Sequence, residues 1–223
     1  MFMVSLFLGN SIYSKGNYGK IVKTLGGVFM FHLDLDPEIS LRLYQPEDAE
    51  ELFNLTIESK EYLKEWLGWL DYTKTAEDSA GFIQSSLSAY EKNGNHPQAA
   101  AIIYKGKIAG TIGFNEISRI HKIGVIGYWL GEKYQGKGIM NRAFSALIEY
   151  GFSEAGLNRI EVRAAAGNMK SRALPKRHGF TEEGIIRDAE WLYDHYVDHK
   201  VYGLLKKEYT SRETDDILHS TTI

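Results

Sequence analysis

From Ile39 onward, apolar and polar positions alternate between a period of two and a period of 3.6, the signatures of half-buried strands and amphipathic helices. Residues 39–43 alternate as a strand. Pro46-Glu-Asp-Ala opens a helix that runs on through Leu52, Leu55 and Thr56, with proline and acids in its first turn, where a missing N–H is tolerated. Tyr62-Leu-Lys-Glu-Trp66-Leu-Gly-Trp69-Leu reads as a short aromatic-rich helix with Trp66 and Trp69 on one face. Residues 76–92 form another helix, ended by Asn93-Gly94. Residues 99–104 and 107–114 make a hairpin around Lys105-Gly106, and 123–130 is the next strand. The helix at 138–154 carries Ile139, Ala143, Leu147 and Tyr150 on one stripe, with Met140, Phe144 and Ile148 beside it, so that face is core. Residues 159–165 return as a parallel strand, and 184–192 with 198–205 close the sheet as an antiparallel pair. The class is α/β.

The ends follow no such pattern. Residues 2–8 are apolar but far short of the roughly 20 that span a bilayer, and no basic residue precedes them as in a secretory signal. The Gly-rich, Tyr/Lys-spaced run 9–27 reads as loop. Leu25-Gly-Gly-Val-Phe-Met30 can be encoded by a purine-rich ribosome-binding sequence just upstream of a start codon for Met30. The expected organisation is therefore an extension at 1–29 from a misassigned start, a domain at 30–209 and a polar tail at 210–223. A folded N-terminal extension is the competing view.

Composition narrows the partners. At 223 residues with 43% hydrophobic content, the chain has material for one core. A net charge of -3 argues against nucleic acid or an anionic membrane as partner. The absence of cysteine excludes disulfides, thiolate nucleophiles and an acyl-cysteine intermediate, and makes a reducing cytoplasm the default. The best metal-like cluster is Asp194-His195-x-x-Asp198-His199, but four residues along a strand separate two side chains by roughly 13 Å. No metal is expected.

Two segments carry the chemistry. In Gly127-Tyr-Trp-Leu-Gly-Glu-Lys-Tyr-Gln-Gly-Lys-Gly-Ile-Met-Asn-Arg-Ala143 a strand passes through a glycine-rich turn into a helix. Gly136 and Gly138 let the main chain approach a ligand, the first helical N–H groups lack intrahelical partners, and Lys137 adds positive charge, which together suit a phosphate. The turn is neither a Walker loop nor a Gly-x-Gly-x-x-Gly fingerprint, and plain turn chemistry would explain it alone. In Asn158 to Phe180 a β-run ends in small residues, and Asn168 and Ser171 open a short helix that closes at Gly179.

Taken together, Gln135-x-x-Gly138, the Gly-Tyr-Trp-Leu strand end, Asn168-x-x-Ser171 and Gly179-Phe180 resemble the GNAT acetyltransferase superfamily, and within it the RimJ/RimL-type protein N-acetyltransferases. The resemblance covers about 39–209. It implies a single domain with one mixed, strongly twisted sheet flanked by helices, and acetyl-CoA as cosubstrate with no metal. It also implies direct attack by an amine, most simply the N-terminal α-amino group of a protein, ribosomal proteins included. A small-molecule amine, such as an antibiotic or polyamine, and a catalytically silent acyl-CoA-binding module are the alternatives. Relatives often pair, so a homodimer is implied.

Carried over residue by residue, the backbone of Gln135, Gly136, Lys137, Gly138, Ile139 and Met140 would grip the pyrophosphate, although the family usually has Gly or Ala where this chain has Met140. A backbone N–H near Tyr128, Trp129 and Leu130, where two strands part, would polarise the thioester carbonyl. Asn168 resembles the pantetheine contact and Ser171 the hydroxyl that protonates the thiolate. Read without the family, Asn168 is a good N-cap with Ser171 in the first turn, and Pro175 removes the N–H that would bond the Ser171 carbonyl, so a bend or distorted turn is expected. Relatives commonly carry an acid where this chain has Val125, which leaves Glu116 and Glu161, with His121 behind them, as routes for the amine proton. Trp66 and Trp69 resemble paired tryptophans that wall the acceptor groove.

Overall fold

The structure, a computed structural model, describes the backbone of residues 19–20, 23–25 and 28–210 and the side chains of 30–210. Expectations for residues 1–18 and for the tail from 211 lie outside these. Strands β1 (Gly19–Lys20) and β2 (Lys23–Leu25) occupy part of the run 9–27 read as loop from sequence, and β3 (Val28–Met30) follows it, β1 pairing with β4 (His32–Asp34) and β2 with β3. The glycine spacing there hides any period of two, which is why the pattern gave no strand.

The remaining strands are β5 (Ile39–Leu43), β6 (Ala100–Tyr104), β7 (Lys107–Ser118), β8 (Ile123–Leu130), β9 (Arg159–Ala165), β10 (Thr181–Leu192) and β11 (His195–Leu205). They form one mixed sheet in the order β1-β4-β5-β6-β7-β8-β9-β11-β10, antiparallel except where β8 meets β9 in parallel. The β6–β7 turn is as predicted: Lys105 and Gly106 both have positive φ, 51° and 76°, which suits the two-residue turn that matches strand twist. Strand β7 runs past Phe114, because a bulge leaves Asn115 unpaired and carries the ladder on to Ser118.

Alternation along β6 explains the two cores. Ala100 and Ile102 pack with helix α4 (Ile139–Ser153), whose Ile139, Ala143, Phe144, Leu147 and Ile148 are buried, while Ala101 faces Leu52 and Leu55 of α1 (Ala49–Glu58) and Ile83 of α3 (Ala76–Lys92). Helix α3 begins with a capping box between Thr75 and Asp78. The aromatic segment departs from its predicted single helix. Helix α2 (Lys60–Lys64) ends before Trp66, Leu67 is extended at φ −128° and ψ 105°, and a 3-10 turn, Gly68–Tyr72, carries Trp69. Leu70 is fully buried, and anchoring it sets the break that separates the two tryptophans.

Helix α5 (Met169–Arg177) is fixed to the closing hairpin by a polar network. Arg172 donates from Nε to the buried Tyr202 hydroxyl at 2.9 Å and from Nη1 to the Ala166 carbonyl at 2.6 Å. Tyr202 donates in turn to Glu182, which also pairs with Lys176 at 3.1 Å and Lys200 at 2.8 Å. Among the described residues no helix is long and apolar enough to cross a membrane.

Candidate active site

Strand β8 pairs with β7 through Leu130 but with β9 only through Ile126, so from Gly127 onward its other backbone edge faces a gap. A cavity of about 460 Å³ opens on that gap, lined by Tyr128, Trp129 and Leu130, by the turn into α4, by Asn168 just before α5 and by Ser171 within it.

The turn is built to expose N–H groups. Gly136 and Gly138 have φ of +71° and +70°, and a Cβ added at either would meet nothing, so the main chain borders open space. No side chain caps α4 at Gly138, which leaves its first amides to the cavity. Arg142 braces the turn from behind, donating to the Lys137 carbonyl at 3.0 Å while paired with Asp36 at 2.6 Å. Gln135, Gly136, Gly138, Ile139 and Met140 line the cavity. Met140, the bulky departure from the family pattern, is half-buried and leans on the larger core. Lys137 is turned elsewhere: its Nζ donates to the Lys133 carbonyl at 2.9 Å and lies near the rings of Tyr104 and Tyr134, so it lines no part of this cavity. The fit to a pyrophosphate thus rests on backbone, not on the lysine.

Asn168 is the N-cap of α5, its Oδ1 accepting from the Ser171 N–H at 2.9 Å. Replacing it with alanine should cost about 1 kcal/mol, read as a Tm lowered by a few degrees; a Tm equal to wild type would show the cap to be idle. Ser171 donates from Oγ to the Tyr128 hydroxyl at 3.2 Å, and that hydroxyl donates to the Ser171 carbonyl at 2.9 Å. Burial pushes the Tyr128 hydroxyl up to about 12, so it stays a donor at neutral pH. The bond to the carbonyl crosses from β8 to α5 and was not legible in sequence.

A second cavity, about 760 Å³, lies on the α1/α3 side and shares Leu67, Tyr128 and Trp129 with the first. Its wall includes Phe82 of α3, Thr111 and Asn115 of β7, and Trp69, whose ring is 6.0 Å from that of Trp129. Trp66 instead lines the first cavity, so the two tryptophans flank opposite sides of Leu67 and do not share a face. Sequence reading missed this wall. Its traces were the small residues Gly81, Ser85 and Ser86 along one helix and Gly127 in mid-strand, where an added Cβ would strike the Asn115 amide.

Among the described residues, Glu77 and Asp78 are the only carboxylates lining either cavity. Both are exposed, and both are held below the usual carboxylate range: Glu77 by the Thr75 hydroxyl, Asp78 by the backbone N–H groups of Lys74 and Thr75. They give the mouth a negative rim. Glu116 and Glu161 sit directly beside Val125 in the ladder, on neighbouring strands, but neither lines a cavity. Glu161 is buried and bonded to Arg159 at 2.9 Å and Arg163 at 2.7 Å, and Glu116 is exposed. His121 is exposed and also lines neither. His195 and His199 have separate partners, Asp194 and Glu190, and no metal-holding group occurs among the described residues.

Two neighbouring cavities that share Leu67, Tyr128 and Trp129, one bordered by helix-start amides and one by aromatics and acids, suit a two-substrate transfer. The comparisons agree. Residues 38–181 match the Acetyltransferase (GNAT) domain family. YdaF of Bacillus subtilis (strain 168), provisionally named a ribosomal N-acetyltransferase, is 35% identical over 81% of this chain and 98% of its own. The microcin C7 self-immunity acetyltransferase MccE, solved with acetyl-CoA and AMP, is 35% identical with TM-score 0.73, over 78% of this chain and 95% of that one. RimL, the ribosomal L7/L12 α-N-protein acetyltransferase solved with coenzyme A, is 27% identical with TM-score 0.74, over 78% and 98%. The chain belongs to the GNAT acetyltransferase family, on its RimJ/RimL-type branch, and is an acetyl-CoA-dependent N-acetyltransferase.

Proposed function

We propose that the acceptor is the N-terminal α-amino group of a polypeptide, with ribosomal proteins as the substrate class suggested by the names of YdaF and RimL. The observation that carries this reading is that, among the described residues, none of those lining the first cavity, including the Leu67, Tyr128 and Trp129 that it shares with the second, is a carboxylate. Attack needs a neutral amine. With no base there to take a proton, the amine must be neutral of its own accord, and the candidates differ widely. An α-amino group titrates near 7.7–8.0 and a lysine near 10.4, so at pH 7.5 roughly a quarter to two-fifths of α-amines are neutral against about one lysine in a thousand. The negative rim at Glu77 and Asp78 favours approach of a cationic chain end, and Glu116 and Glu161 have no direct contact with the amine in this reading.

The remaining roles follow from the geometry. Acetyl-CoA supplies the activated acetyl group. The amides of the turn at Gln135–Met140 hold its diphosphate and Asn168 its pantetheine arm. An amide N–H of the Gly127–Leu130 edge, freed where β8 leaves β9, stabilises developing negative charge on the carbonyl oxygen as a fixed dipole. Ser171 delivers its Oγ proton to the coenzyme A sulfur as the C–S bond breaks, and regains one that the attacking nitrogen sheds as the amide bond forms. Trp69 and Phe82 wall the acceptor.

The pH dependence tests the acceptor. With a lysine-free peptide bearing a free N-terminus, kcat/KM should rise with pH and level off above about 8. A rate that keeps climbing past pH 10, with polyamines preferred to peptides, would overturn the reading. A small-molecule amine is the second reading, favoured by the 35% identity to MccE and by the aromatic mouth formed by Trp69, Tyr72 and Phe82.

A further inference from the structure

Proline within a helix is costly, because it removes a ladder hydrogen bond and its ring clashes with the carbonyl four residues earlier. Pro175 nevertheless sits buried inside α5, four residues after Ser171. It acts on the Ser171 carbonyl in two ways: it offers no N–H to that oxygen, and a proline ring crowds the carbonyl four residues before it. The carbonyl left without a helical donor has a partner, the Tyr128 hydroxyl at 2.9 Å. A buried tyrosine hydroxyl needs an acceptor, and with its hydrogen committed to the carbonyl, its oxygen is left to accept from Ser171 Oγ at 3.2 Å. Ser171 is thus held through a closed loop, carbonyl to Tyr128 to Oγ, at the wall of the first cavity, while Tyr128 borders both cavities.

We propose that Pro175 is a positioning residue for the transfer, which keeps the Ser171 carbonyl free to fix the Tyr128 hydroxyl and, through it, the direction of Ser171 Oγ. This rests on the reading of Ser171 as the proton donor. An alanine at 175 would restore both the helical N–H and the room for the carbonyl to rejoin the ladder, drawing it away from Tyr128.

The test is a double-mutant cycle on the full chain, with turnover measured on any amine that the wild type accepts. Pro175→Ala should lower kcat about tenfold, the scale of one hydrogen bond, with KM for acetyl-CoA within about twofold of wild type and Tm within about 3 °C, under 2 kcal/mol for a chain of this size. Tyr128→Phe should show a similar loss. In the Tyr128→Phe background, adding Pro175→Ala should change kcat by less than about twofold, because the hydroxyl it acts through is gone. Equal losses in both backgrounds, no loss, or a Pro175→Ala protein that fails to fold would each overturn the proposal by making the proline merely structural or idle. Ser171→Ala separates the two levels. Wild-type turnover there would reject the proton-donor reading itself, whereas a loss there without one in Pro175→Ala would reject only the role of the proline.

Discussion

Ser171→Ala is expected to lower kcat by about a hundredfold, close to 2.7 kcal/mol of transition-state stabilisation, with KM for acetyl-CoA nearly unchanged. The substitution removes Oγ and its bond to Tyr128 but keeps the backbone N–H that Asn168 accepts, so the start of α5 stays capped. A group that acts only as charge develops on the leaving atom shows in kcat and not in ground-state binding. Steady-state kinetics on the folded variant check this. A rise in KM with kcat intact would make Ser171 a binding residue.

The second large effect concerns the turn. In the wild type, acetyl-CoA at about 100 times its Kd should raise stability by about 2.7 kcal/mol, a Tm increase of about 5–10 °C for a chain of this length. Gly138→Val should abolish that increase. Gly138 has φ of +70°, a left-handed conformation that a β-branched residue resists, and the new side chain would project into the space now open beside the amides. Thermal melts with and without acetyl-CoA decide it. An undiminished shift would remove the turn from the binding site.

Much of the frame was legible in sequence because its rules are local. Residues 76–92 and 123–130 were bounded to the residue by Asn93-Gly94, by the glycine-rich turn and by clean periods of 3.6 and two. The parallel return at 159–165 followed from the helix that precedes it. The tryptophan pair was misjudged because helical spacing says nothing of the break at Leu67 and Gly68, which burial of Leu70 imposes. Lys137 sits in a phosphate-binding pattern by sequence, yet its side chain follows the nearer rings and carbonyl.

Contacts across long separations were out of reach for the same reason. The second cavity draws Trp69, Phe82, Asn115 and Trp129 from four elements, and nothing local in any of them marks the shared wall. Pro175 gives the converse case. Its missing N–H was evident from sequence, but the hydroxyl that takes up the Ser171 carbonyl comes from a strand 43 residues away.

The acceptor is the centre of the account, and product mapping tests it most directly. A peptide with a free N-terminus and one internal lysine, incubated with the enzyme and acetyl-CoA at pH 7.5, should gain a single acetyl group, located by fragment mass spectrometry on the α-amine. The same peptide with its N-terminus blocked should gain none. Acetyl on the lysine of either peptide, or transfer only to small amines while both peptides remain untouched, would contradict the assignment.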